Sequence, residues 1–112
     1  MEMKSAVEAL SALAHPGRLA VFRLLAPAGE AGLPAGDIAR AIGALPNTTS
    51  ANLNVLSAAG LIVARREGRS VYYAAAYDRM RGLLGFLIED CCGGRPEICS
   101  PFTRSAEKAA PC

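Results

Sequence analysis

PNTTSANLNVLSAAGLIVARREGRSVYY, running from Pro46 to Tyr73, changes its hydrophobic period halfway, and that change decides the fold. From Asn47 to Ala59, Leu53 and Leu56 fall at helical spacing, with Asn47 placed as an N-cap and Gly60 as a left-handed stop. From Leu61 the pattern turns to two extended runs, LIVARR and SVYYA, rich in β-branched and aromatic residues and joined at Glu67-Gly68-Arg69. The stretch predicts one short helix followed by a β-hairpin.

The polar side of that helix carries Asn47, Thr48, Ser50, Asn52 and Asn54, and no charged residue lies between Arg40 and Arg65. Short neutral donors and acceptors suit base edges in a DNA major groove, whereas the guanidiniums beyond them, Arg65, Arg66 and Arg69, suit phosphates. The expectation is a division of labour in which the helix reads bases and the hairpin grips the backbone of double-stranded DNA.

Upstream, Met3, Val7, Leu10 and Ala14 put one apolar stripe on a first helix from about Lys4 to Ala14, too short to stand without a partner surface. His15-Pro16-Gly17-Arg18 breaks and restarts the chain, His15 serving as a cap or in packing. Leu19, Val21, Phe22, Leu24 and Leu25 then form a central core helix. Ala26 to Gly32 is a loop by composition, and Leu33-Pro34-Ala35-Gly36 leads into a third helix with Ile38 and Ile42 inward. With Gly43-Ala44-Leu45-Pro46 as the turn, the third helix and the organising helix fit a helix-turn-helix, and the hairpin beyond is its wing.

Downstream, Asp78 is placed to cap a helix from Arg79 to Asp90, in which Met80, Leu83, Leu84, Phe86, Leu87 and Ile88 leave almost no polar side. So apolar a terminal helix predicts a homodimer interface, shared with the first helix. The fold class is therefore mainly α with a small antiparallel β-hairpin, a homodimeric winged helix-turn-helix. Residues 1–90 form the DNA-binding and dimerisation domain, and residues 91–112 form a cysteine-containing segment ending in a flexible tail.

Composition narrows the function further. A chain of 112 residues, 52% apolar, is one domain's worth. No run is long enough for a membrane span, and two glutamates interrupt the first ten residues before the apolar core of a signal peptide can form, so the expected location is cytoplasmic. The net charge of +2 says less than its distribution, since Arg65, Arg66, Arg69, Arg79 and Arg81 cluster against Glu67 and Asp78. Catalysis is not expected: there is one histidine, no Gly-rich phosphate loop, and Pro101 removes an amide from any oxyanion cradle between Cys99 and Arg104.

Taken together, AHPGRLAVFRLL, the helix-turn-helix, AAGLIVARREGRSVYYA and the apolar helix after it resemble the ArsR/SmtB family of bacterial winged-helix repressors over about residues 5–90. The resemblance implies a homodimer that binds a palindromic operator and lets go when a metal or metalloid occupies an effector site. Many members carry paired cysteines on the first helix of the DNA-binding motif, but here that segment is PAGDIAR, without sulfur. Thr49 also stands where an apolar residue is usual in the family and Asn52 where histidine is frequent, so no operator sequence carries over. DCCGGRPEIC instead resembles the arsenite-sensing subgroup, whose adjacent cysteine pair ends the last helix and is followed by a third cysteine.

On that resemblance the effector ligands are Cys91, Cys92 and Cys99, with As(III), or Sb(III), as the effector. On a continuing helix the side chains of Cys91 and Cys92 diverge by about 100°, so they converge on one centre only where the chain unwinds, which Gly93 and Gly94 permit. Three thiolates without histidine suit a soft pyramidal three-coordinate centre, whereas a structural zinc site takes four ligands. Two alternatives stay open at this point: a divalent soft metal, Zn(II), Cd(II) or Pb(II), at the same thiols, and a thiol-redox switch pairing Cys91 or Cys92 with Cys99. Cys112, at the chain end, has no assigned role.

Overall fold

The computed structural model describes residues 1–88. The segment carrying Cys91, Cys92 and Cys99, and the last two residues of the expected Arg79–Asp90 helix, lie outside the described residues.

The first helix, α1 (Met3–Leu13), packs through its small residues. Ala6, Ala9 and Ala12 are buried, while Met3, Val7 and Leu10 stand 67%, 56% and 42% exposed. A methyl face lets the backbone lie close on its neighbours, so the bulkier stripe that the sequence displays is turned outward. At the corner, the His15 imidazole caps α2 (Pro16–Leu25): Nδ1 accepts from the amides of Gly17 at 3.1 Å and Arg18 at 3.4 Å, with Pro16 in the first turn where no amide is needed. Arg18 ties back across the corner by donating from Nε to the Ala12 carbonyl.

After a 3-10 turn (Ala26–Ala28), the chain makes a strand absent from the sequence reading. The two residues of β1 (Leu33–Pro34) pair antiparallel with β3 (Ser70–Ala75), Leu33 opposite Tyr73 and Pro34 opposite Tyr72, so the expected hairpin is a three-stranded antiparallel sheet in the order β1-β3-β2. Proline is tolerated because this is an edge strand. Gly32, at φ +67°, lets the loop arrive there: a Cβ at that position would overlap the Tyr73 carbonyl.

The helix-turn-helix follows as expected. α3 (Ala35–Ile42) ends in a Schellman motif, with Gly43 at φ +67°, its amide donating to Arg40 and that of Ala44 to Ala39. α4 (Pro46–Ala58) then runs to Gly60, which adopts the left-handed conformation assigned to it. β2 (Ile62–Glu67) and β3 pair from Ile62–Ala75 to Glu67–Ser70, leaving Gly68-Arg69 as a two-residue turn.

α5 (Tyr77–Ile88) begins before the expected start, so Asp78 lies inside the first turn, bonded to Arg81 at 3.5 Å rather than capping. The Tyr77 hydroxyl donates to the Ala26 carbonyl at 2.7 Å and anchors the helix start. Ala9, Val21, Leu25, Ile38, Leu53, Leu56, Leu61 and Leu83, each at most 2% exposed, unite all five helices and the base of the wing in one core. Truncating any of these leucines to alanine costs about 2–5 kcal/mol. Among the described residues, no helix is long and apolar enough to cross a membrane.

Candidate nucleic-acid interface

Two elements project from that core with the chemistry expected of them, α4 and the wing. Pro46 occupies the first turn of α4 and Leu45 the cap position, which no side chain fills. Asn47 is thus not the N-cap that the sequence suggested; it is the second residue of the helix, two positions after the cap, with its side chain exposed and uncommitted. The cap lies two residues earlier than the sequence suggested, because a proline suits the first helical position as well as it suits a preceding turn.

The exposed side of α4 carries Asn47, Thr48, Ser50 and Asn54. At about 100° per residue, Asn47, Ser50 and Asn54 share a narrow arc with Ala51, and Thr48 lies on its flank. Asn52 does not belong to the set. It is 6% exposed and turned toward α2, its Nδ2 standing 2.9 Å from where a Cβ on Gly17 would be, without a hydrogen-bond partner among the described residues. Thr49, 1% exposed, also faces inward. The spacing carried this information, since Thr49, Asn52, Leu53 and Leu56 form one i, i+3, i+4, i+7 stripe.

The three wing arginines differ in what they do. Adjacent residues of a strand point to opposite faces, so Arg65 and Arg66 part company. Arg65 shares a face with its cross-strand partner Tyr72, and its guanidinium lies 5.3 Å over that ring. From there Nη1 donates to the Glu30 carbonyl and Nη2 to the Ala31 carbonyl, each at 3.1 Å, while Nε meets Glu67 at 3.0 Å. Its donors tie the wing to the loop before β1, so of the three wing arginines it is the one already engaged within the chain. Arg66, on the opposite face, and Arg69, in the turn, are exposed and take no part in any of the ion pairs among the described residues.

The arrangement is therefore an uncharged polar ridge on α4 beside a wing tip with two uncommitted guanidiniums. Short amides and hydroxyls can exchange hydrogen bonds with base edges, and Arg66 and Arg69 can neutralise phosphates. Ala51, in the middle of the ridge, was passed over in the sequence because it carries no polar atom. Among the described residues, no group of three or more His, Cys, Asp or Glu side chains is placed to hold a metal ion.

A helix-turn-helix domain profile matches residues 13–65, spanning α2 to the wing. The chain is similar to the solution structure of a homodimeric winged helix-turn-helix DNA-binding domain from Mycobacterium bovis, a possible ArsR-family transcriptional regulator. The two are 34% identical over 80% of this chain and 82% of that one, with a TM-score of 0.63. The chain belongs to the ArsR family. Another solved relative, a possible transcriptional regulator for arsenical resistance, is 29% identical over 71% of this chain and 80% of its own, with a TM-score of 0.63. The HTH-type transcriptional regulator NmtR of Mycobacterium tuberculosis is 42% identical over 65 residues, 58% of this chain. This ArsR-family chain matches about half of NmtR's length, 52%.

Proposed function

We propose that the protein is a metalloid-responsive transcriptional repressor that binds operator DNA as a homodimer and releases it when As(III) or Sb(III) binds Cys91, Cys92 and Cys99. The observation that carries the DNA-binding half is the exposed, uncharged ridge of Asn47, Ser50 and Asn54 beside the free arginines of the wing. In this reading, α4 lies in the major groove and the two half-sites are centred about one helical turn apart.

Dimerisation follows from surface left uncovered. Met3, Val7 and Leu10 on α1 and Leu84 and Leu87 on α5 are 42–67% exposed, and the two helices are in contact with each other. A second copy would cover this combined face, and the Mycobacterium bovis relative is itself homodimeric.

The effector half rests on the donor set. Cys91, Cys92 and Cys99 supply three soft sulfurs with no histidine near them in sequence, and a relative is named for arsenical resistance. Bound there, the metalloid supplies a cross-link between thiols. Arsenous acid is neutral and condenses with three thiols to release water, so Glu89, Asp90 and Glu97, which disfavour thiolates, oppose it less than they oppose a divalent cation that must displace protons. Cys91 follows Ile88 by three positions, so drawing the thiols together strains the end of α5 and with it the dimer face. A coupling of about 1–3 kcal/mol weakens operator binding roughly 5- to 150-fold, enough to derepress a gene.

The test is release of operator DNA titrated with As(III), Sb(III), Zn(II), Cd(II) and peroxide, the metals and metalloids under reducing conditions. Release by the metalloids at the lowest concentrations is expected. Release by zinc below the arsenite concentration selects divalent-metal sensing, and release only by peroxide selects a redox switch.

A further inference from the structure

The ridge of α4 has a methyl at its centre. Ala51 is exposed, and it is bracketed on one arc by Asn47 and Ser50 toward the N-terminus and Asn54 toward the C-terminus. Nothing charged lies on this helix, so the guanidinium contacts that read guanine and the carboxylate contacts that read cytosine are both absent from it. Of what remains, the hydroxyls accept either base pair type, whereas the carboxamides and the alanine methyl are matched to one. Carboxamides pair bidentately with adenine N6 and N7, and a small apolar group fits the C5-methyl of thymine.

The geometry limits how these groups reach the groove floor. Asn47 and Asn54 are separated by about 10 Å along the helix axis, close to the rise of three stacked base pairs, and Ala51 falls between them. An alanine touches a base only where the helix backbone comes near. Ser50, Asn47 and Asn54 are short enough to allow that approach, and no long side chain on the arc holds the helix off.

Resting on the DNA-binding reading above, we infer that Ala51 is a specificity-determining residue: its methyl packs on the C5-methyl of a thymine in an A·T base pair at the centre of each half-site, with Asn47 and Asn54 reading the flanking A·T pairs.

The experiment uses the full chain to enrich its preferred duplexes from a random pool. Each thymine of the enriched site is then replaced in turn by deoxyuridine, which deletes the methyl and leaves base pairing intact. The expected result is an A·T core in each half-site and one thymine at which uracil weakens wild-type binding about fourfold, the effect of one buried methyl. That penalty should vanish in Ala51→Gly and in Ala51→Ser, the second of which keeps the helix intact should glycine loosen it. A G·C core, uracil tolerated at every thymine, or a penalty unchanged in both variants overturns the inference while leaving sequence-specific DNA binding standing. Enrichment of no sequence at all overturns the DNA-binding reading, and this inference with it.

Discussion

The Arg65 guanidinium lies 5.3 Å over the ring of Tyr72, its direct cross-strand partner, and from that seat it holds two loop carbonyls and the Glu67 carboxylate. The residue looks in sequence like the first of a basic cluster and acts in the fold as the strut that sets the wing against the loop before β1. Arg66, one position on, faces the other way.

This difference is measurable as salt dependence. Each phosphate neutralised adds about 0.9 to the slope of log affinity against log salt. Arg69→Ala should flatten the slope by about one unit, and Arg66→Ala by a similar amount. Arg65→Ala should leave the slope unchanged and lower stability by about 1 kcal/mol, read from urea unfolding of the DNA-free protein. A full unit of slope lost in Arg65→Ala would return that residue to the phosphates.

Dimerisation should fail without unfolding. Val7 and Leu84 are 56% and 54% exposed in the single chain, so a glutamate at either place meets water in the monomer and an apolar face in the dimer. Val7→Glu and Leu84→Glu should sediment as monomers at concentrations where the wild type is dimeric, with unchanged circular dichroism. A dimer that survives both substitutions places the interface elsewhere.

Gly32→Ala should be among the most damaging of conservative changes. The residue needs φ +67° and has no room for a Cβ against the Tyr73 carbonyl, so the substitution strains the backbone and parts β1 from β3. A loss of about 3 kcal/mol or more is expected in equilibrium unfolding.

The His15 cap offers a cleaner probe of α2. His15→Ala removes the acceptor for the Gly17 and Arg18 amides and should cost about 1 kcal/mol, whereas His15→Asn, which keeps a side-chain acceptor, should recover most of it. Equal losses in the two variants would make packing, not capping, the role of the imidazole.

How much was legible in advance depended on how local the signal was. The α4-to-wing transition was readable because the period changes from helical to alternating within one stretch, and Gly60 and Gly68 mark its breaks with φ +76° and +61°. β1 was not readable, since two residues ending in proline carry no alternation and the strand exists only because β3 offers an edge. α1 showed its apolar stripe plainly, but which side packs inward was decided by tertiary closeness, which favours Ala6, Ala9 and Ala12 over bulkier neighbours. Within the candidate interface the error at Asn52 came from weighing polarity above position. An asparagine between Thr49 and Leu56 at helical spacing lies on the buried side whatever its chemistry.

The most direct test of the central claim is operator release by arsenite in single cysteine-to-serine variants. Cys91→Ser, Cys92→Ser and Cys99→Ser should each bind DNA within a few tenths of a kcal/mol of the wild type and fail to release it, while Cys112→Ser should release normally. If Cys99→Ser lets go at the wild-type arsenite concentration, the three-sulfur site is contradicted and a two-sulfur site at Cys91 and Cys92 replaces it.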